Sequence, residues 1–352
     1  MAFYPAKELR RMNRTGIDYL DYSWNPLAMR CTRVSPACDH CWHLRMAKRK
    51  AGNPQLSDLE RQASAGLIPP VLMPDRLDEP LRMKKPQRIG VQFMGDLGHE
   101  AVDMFDRHQI FNVMNKCAHQ TFLVLTKRPE TFLSFGDLFW TPNIWLGVTV
   151  ENQEQADQRL PILLQIPAAI RFVSYEPALG AVDWSLWLPP FEDCDYYAGG
   201  CTRPENVFAE TGNPSSRPGL QSCRPGYCVF GRRGLDLLIA GGETGPHARP
   251  SHPNWFRSAR DQAVTAGVPF FFKSWGEWTP FLSWEDACHQ KRWGFRKDLR
   301  VLWPNGIAGS AVLGNKAETW DQGCRGFMKL GKNFFSRLLD GCEWNQLPEV
   351  AI

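Results

Sequence analysis

Six short apolar runs, most of them spaced so that a helix fits between, constrain this chain more than any other feature. They read GVQFMG (90–95), TFLVLTK (121–127), IWLGVTVE (144–151), IRFVSYEP (170–177), LDLLIAGG (235–242) and VPFFFK (268–273). Their near-continuous Val, Ile, Leu and Phe content is that of parallel strands buried on both faces. Helix-like segments lie between them, including AVDMFDRHQIFNVMNKCAHQ (101–120) and NQEQADQRLPILLQI (152–166). PNWFRSARDQAVTAG (253–267) ends on a glycine, a usual helix stop. This alternation makes the class α/β, with either a parallel barrel or a doubly wound sheet. Polar or Gly-rich residues close nearly every run: Gly95-Asp96, Thr126-Lys127, Glu151, Glu176, Gly241-Gly242-Glu243 and Lys273. Residues after strands are often polar because loops are wet. Six consecutive strands ending this way favour a barrel, whose strand ends meet at one mouth.

Two stretches break the rhythm. Residues 188–234 are rich in Pro, Gly, Ser, Asn and Arg, show little apolar periodicity, and hold Cys194, Cys201, Cys223 and Cys228. So long an irregular connection needs its own staple, and four thiols fit a zinc ion whose binding supplies folding free energy. Beyond Trp275 the pattern shifts to short aromatic-rich runs with Trp278, Trp284, Trp293, Trp303 and Trp320. The expected organisation is a barrel-like domain over 1–275 carrying the 188–234 insertion, then a small Trp-rich module over 276–352.

No apolar run approaches the ~18 residues a membrane span needs. The start, MAFYPAKELRRMNRTG, lacks the apolar core of a signal peptide. A cytoplasmic location is expected, where thiols stay reduced, so eleven cysteines point to metal before disulfides. The net charge of +4 is too small to imply nucleic acid by itself.

The sharpest motif is RCTRVSPACDHCW (30–42), with Cys31, Cys38 and Cys41. A structural zinc takes four ligands, and a [4Fe–4S] cluster held wholly by protein takes four cysteines. His43 could complete a zinc site, whereas His40, between two of the cysteines, would have difficulty reaching the same ion. Alternatively the three thiolates hold a [4Fe–4S] cluster with one iron open to a ligand. Unliganded thiols are the third reading.

The motif sits in TGIDYLDYSWNPLAMRCTRVSPACDHCW, followed by FMGDLGHE, LTKRP, IWLGVTVE, RFVSYEPALG, LIAGGETGPHARP, AGVPFFFKSWG and GKNFFSRLLDGCEWNQLP. Together these resemble the bacteriophage gp-thirty-seven/gp-sixty-eight family of three-Cys-motif proteins, which is similar to a divergent branch of the radical S-adenosylmethionine enzymes. The resemblance implies a partial parallel (β/α)6 TIM-like barrel, a [4Fe–4S] cluster on Cys31, Cys38 and Cys41, S-adenosylmethionine as cofactor, and an electron donor as partner. Cys38-x-x-Cys41 matches the radical motif, while the gap from Cys31 to Cys38 is wider than usual. By the same resemblance His40 packs near the adenine, and Asp96, after Gly95, holds the methionine end. Gly241, Gly242 and Glu243, with Glu151 and Glu176, line the cofactor or substrate site.

Lys127, Arg128, Arg249 and Lys273 follow strands and suit a phosphate or carboxylate. The basic runs RMAKRK (45–50) and RMKKPQR (82–88) could track a nucleic-acid backbone, although each alone is more often a solvated face. The Trp-rich tail could stack bases, but more often such residues form a small core. Two functions follow. One is a radical enzyme acting on a nucleobase, nucleotide or nucleic acid; the other is a zinc-stabilised nucleic-acid-binding protein without catalysis. Neither a nucleophile elbow nor a two-metal carboxylate cluster is present to suggest a hydrolase.

Overall fold

The computed structural model describes residues 12–134, 138–188, 234–280 and 337–348, together with the backbone of 299–302, 308–310 and 325–329. Cys194, Cys201, Cys223 and Cys228 of the insertion lie outside the described residues, as do Trp284, Trp293, Trp303 and Trp320.

Four short strands come first: β1 (Asn13–Arg14), β2 (Tyr22–Trp24), β3 (Leu27–Ala28) and β4 (Val71–Leu72). The six expected strands follow as β5 (Arg88–Val91), β6 (Thr121–Thr126), β7 (Ile144–Thr149), β8 (Ile170–Tyr175), β9 (Leu237–Gly241) and β10 (Phe270–Ser274). Helices α1 (Trp42–Ala51), α2 (Asp58–Ala65) and α3 (Pro74–Leu77) precede β5. Helices α4 (Met104–Lys116), α5 (Glu130–Ser134), α6 (Gln153–Leu163) and α7 (Pro253–Thr265) follow β5, β6, β7 and β9. Side chains at the helix starts satisfy otherwise orphaned amides. Asp103 accepts from Phe105 N–H (2.7 Å) ahead of α4, and Asn152 accepts from Gln155 N–H (3.2 Å) ahead of α6.

One sheet organises the molecule, in the order β1-β2-β5-β6-β7-β8-β9-β10. All neighbours pair in parallel except β1 with β2. β2 was not legible as a strand; its three residues extend the parallel set by one. The architecture is therefore α/β with a mostly parallel sheet in consecutive order. The sheet is not closed. β10 meets residues 344–346 on its free side, through an antiparallel bridge from Phe271 to Asn345 and a bond from Phe272 N–H to Trp344 O (2.9 Å).

Alternation along each strand sends side chains to two cores. On one face Ile89, Val91, Phe122, Val124, Leu146, Val148 and Phe272 meet apolar residues of α4, α6 and α7. On the other, Leu123, Trp145, Phe172, Leu237, Ile239 and Phe271 form a smaller cluster covered by Tyr19 and Leu20. Helices α4, α6 and α7 thus lie on one side only, and the segment before β2 fills the other. Both faces are dry, which is why the strands read as unbroken apolar runs.

After β10 the chain forms β11 (Trp278–Pro280), β12 (Leu299–Leu302), β13 (Ala308–Ser310) and β14 (Arg325–Lys329), a separate sheet ordered β11-β14-β12-β13. A hairpin of β15 (Leu338–Leu339) and β16 (Cys342–Glu343) follows. Trp278 and Leu339 are buried in the main core, and Arg337 lies over the Phe271 ring at 4.6 Å. No helix among the described residues is long and apolar enough to cross a membrane.

Candidate functional site

Parallel strands in one sheet bring their C-terminal ends to one edge. The chain leaves β3 and crosses that edge as the loop containing Cys31, Cys38 and Cys41 before entering α1. Cys31 is half-buried. Cys38 is buried at the end of the single 3-10 turn Pro36–Cys38, and Cys41 is the N-cap residue of α1. Burial pushes the Cys31 thiol up to about 11; Asp96 and Cys38 add to the rise, and Arg128 opposes it. Ser35 Oγ lies 3.9 Å from Cys38 Sγ. The three thiols are free of disulfides.

Residues from the strand ends hold this loop. Gln92, directly after β5 and wholly buried, accepts from Leu27 N–H (2.9 Å) and donates to Leu27 O (3.1 Å), fixing where the loop departs. Asp96 is buried too. Its Oδ1 accepts from Thr126 Oγ1 (2.6 Å) and Gly98 N–H (2.9 Å); its Oδ2 accepts from Arg128 Nη1 (3.0 Å) and Lys127 N–H (3.1 Å). Four donors saturate this carboxylate, and its work is to aim Arg128. Arg128 Nη2 then donates to Thr32 Oγ1 (2.6 Å) and Thr32 O (3.4 Å), Nη1 lies 3.7 Å from Cys31 Sγ, and Nε meets Glu100 Oε2 at 2.8 Å.

The far end of the loop is held the same way. Glu151, fully buried after β7, pairs with Arg159 Nη1 (2.9 Å) and accepts from Ala37 N–H (3.4 Å). Glu243, after β9, takes Arg249 in a fork of 2.6 and 2.8 Å, and Arg249 Nη2 donates to Pro36 O (3.0 Å). Two histidines complete the frame. Cys31 N–H donates to His43 Nε2 (3.3 Å); burial, with Lys50 and Arg30 adding, lowers His43 to about 4 and keeps it neutral. Ala101 N–H donates to His99 Nδ1 (3.1 Å), so the His99 proton sits on Nε2 and is donated to Thr32 Oγ1 (3.0 Å).

A second group of predicted residues sits at the same edge on the smaller-core face. Lys127 Nζ reaches Thr149 Oγ1 (3.4 Å), and Lys273 Nζ pairs with Glu176 Oε1 (2.5 Å). The Tyr19 hydroxyl lies within reach of the Glu176 charge, and its pKa is raised by burial first and by Glu176 second. A cavity of about 550 Å³ opens on the other side of the loop, between Arg30, Cys31, Thr32 and His99 and the turn through Leu67 and Pro70.

The sequence-predicted site residues that are described are thus gathered at one edge, but several do different work there. Arg128 and Arg249, read as substrate cations, spend most of their donors on the cysteine loop and on carboxylates. Glu151 and Glu243 serve the same frame, and His40 faces His247 with ring centroids 5.6 Å apart. Gly95, at φ +153°, makes the turn before Asp96 and leaves room for Met29, whose Sδ would sit 2.4 Å from an added β-carbon. A β-carbon on Gly242 would lie 2.1 Å from Trp275 O, so the close approach there is to the protein's own backbone. Gln92 and Thr32 escaped the sequence reading; the one signal was a polar Gln inside an apolar strand run.

Three thiols on one short loop at this edge suit iron or zinc in donor chemistry and in place. Their present side-chain arrangement is not a closed ligand set: among the described residues no group of three or more His, Cys, Asp or Glu is disposed to hold a metal ion. The chain belongs to the family described as protein of unknown function DUF5131, whose model matches residues 14–348. No curated protein and no solved structure matches it.

Proposed function

We propose that this chain is an iron–sulfur enzyme of the radical S-adenosylmethionine type, working in a reducing, cytoplasmic compartment on a nucleotide-like substrate. Its sheet would be the open, barrel-like platform such chemistry uses. The observation that carries the reading is the investment of buried charge around one loop. Side chains after β5, β6, β7 and β9 (His99, Arg128, Glu151 and Arg249) converge on residues 31–37, which ties this one loop to four strand ends. Cys31, Cys38 and Cys41 would hold the cluster. When bound, a [4Fe–4S] cluster with one iron free of protein supplies the electron for radical chemistry on S-adenosylmethionine.

The remaining residues have positional and electrostatic roles. Arg128 places a positive charge beside Cys31, which opposes but does not outweigh the rise that burial and Asp96 impose on its thiol. His43, held neutral, orients the Cys31 amide without competing for charge. Lys127, whose ammonium meets only the Thr149 hydroxyl among the described residues, is the strand-end cation best able to take a phosphate or carboxylate, and Lys273 can exchange Glu176 for one. Asp96 is fully occupied, so the methionine end falls to other groups.

The test is purification and reconstitution without oxygen. A brown protein with about four irons per chain is expected, and Cys31→Ala, Cys38→Ala and Cys41→Ala should each bleach it. After chemical reduction, which stands in for the electron donor, S-adenosylmethionine should yield 5′-deoxyadenosine. Stoichiometric zinc and no iron from an iron-supplemented anaerobic preparation would sink the reading. That result would favour the alternative, a zinc-stabilised nucleic-acid-binding protein, which the neutral His43 ring beside Cys31 also suits.

A further inference from the structure

Helix α1, capped by Cys41, carries a second feature along its outer face. Trp42, Arg45 and Arg49 recur at i, i+3 and i+7, which aligns them on one side of a helix, and Lys48 flanks them. His43 and Ala47 take the buried side. Trp42 keeps 43% of its surface exposed, and Arg45, Lys48 and Arg49 are exposed beside it. The next cation, Lys50, pairs with Glu60 at 3.6 Å, but no ion pair among the described residues engages Arg45, Lys48 or Arg49.

The surface continues off the helix. The Arg45 guanidinium lies over Gly245, where an added β-carbon would come within 2.6 Å of Nη2. Two residues on, His247 is exposed with its ring against His40. Arg33, also exposed, adds a cation held loosely by Asp39 at 3.7 Å. Cations and accessible π faces are therefore interleaved around the cysteine loop.

A solvated basic face is common and by itself means little. The interleaving is more selective. A phosphodiester backbone takes the cations, and bases that are not paired present faces that stack on aromatic rings. A duplex hides those faces, and an acidic protein has none. We infer that single-stranded nucleic acid docks along α1, with phosphates on Arg45, Lys48 and Arg49 and a base on Trp42, so that the strand runs past Cys41. This deepens the proposed function by naming its substrate class and rests on that reading for the chemistry, but the docking itself does not need the metal centre.

Fluorescence anisotropy of a labelled single-stranded oligothymidine, its RNA counterpart and a duplex control tests this with the full chain, on preparations whose iron content is read in parallel. The triple change Arg45→Glu, Lys48→Glu, Arg49→Glu should abolish binding. The milder pair Lys48→Gln, Arg49→Gln, which leaves the Gly245 neighbourhood alone, should lower the slope of log affinity against log salt by about 1.4, at roughly 0.7 for each phosphate no longer neutralised. Trp42→Ala should weaken single-strand binding about tenfold. Lys84→Gln with Lys85→Gln, the same loss of two charges at exposed sites ahead of β5 at the opposite edge of the sheet, should change affinity far less. Equal losses from both pairs would mean net charge alone and would overturn the inference. So would wild-type protein that ignores single strands, or that prefers duplex with Trp42→Ala neutral. Iron content unchanged in those cases would leave the metal-centre reading standing, and absent iron with intact binding would do the reverse.

Discussion

Arg128→Met removes the guanidinium at the junction of the sheet and the cysteine loop while keeping an unbranched apolar side chain. Arg128 and Asp96 side chains are each only 6% exposed and lie 3.0 Å apart. Removing one member of a buried pair leaves the other charge uncompensated, at a cost of about 3–5 kcal/mol. Asp96 would keep three neutral donors, Gly98 N–H, Thr126 Oγ1 and Lys127 N–H. They place the expected cost at the lower end, about 3 kcal/mol. The Glu100 pairing adds little, because Glu100 is 67% exposed and solvent screens it. Against a total stability of about 5–15 kcal/mol, the loss should appear as a clear fall in the urea midpoint at unchanged slope. Adding Asp96→Asn should recover part of it, with a coupling of about 1–3 kcal/mol between the two sites. A single-variant cost below about 1 kcal/mol, or strict additivity in the double variant, would refute the claim that this pair anchors the loop.

Other expectations follow from the same geometry. Gly242→Ala forces a β-carbon into the Trp275 carbonyl and should cost about 2–3 kcal/mol, whereas Gly241→Ala meets side-chain atoms of Glu176 at 3.4 Å and Lys273 Cβ at 3.5 Å and should stay within about 1 kcal/mol; urea unfolding of the two distinguishes a packing glycine from a tolerant one. Asp340 accepts from Arg257 Nη2 and Arg260 Nη1, both at 2.7 Å, and the Arg257 bonds, reinforced by Arg260, hold its carboxyl below the usual range against burial. A folded pKa below the unfolded one means stabilisation that is present above about pH 4 and lost as pH falls through the folded value. Asp340→Asn should therefore cost no more than about 1 kcal/mol at pH 7, and the gap from wild type should close in acid; a gap that persists there would contradict the assignment. Lys127→Met should leave the brown colour unchanged and weaken binding of S-adenosylmethionine or a nucleotide about tenfold, read by equilibrium dialysis; unaltered binding would remove Lys127 from the site.

The six strand runs were legible because strands buried on both faces carry an unbroken apolar signature. Tyr22–Trp24 was not, because three residues are too few to show a period and its strand character comes from pairing with β5. The strand-end residues were legible as a cluster, since parallel order alone brings them to one edge. Their partners were not. Arg128 reaches Thr32 across 96 residues and Arg249 reaches Pro36 across 213, and no local pattern says whether an arginine will face a ligand or another part of its own chain. The same limit applies to Gly242, where a small residue signals that something approaches closely but not what approaches.

Residues 344–346 work as a hem along the outer margin of β10. Phe270 N–H donates to Gln346 Oε1 (3.0 Å), Gln346 N–H to Phe270 O (3.3 Å) and Phe272 N–H to Trp344 O (2.9 Å). A margin stitched in this way offers few free groups to a neighbouring molecule, which guards an otherwise adhesive strand. It also makes the β11–β14 sheet an appliqué sewn down at both ends instead of a pendant. Cutting at 275 would unpick the hem itself, and a fragment ending there should self-associate more than the intact chain.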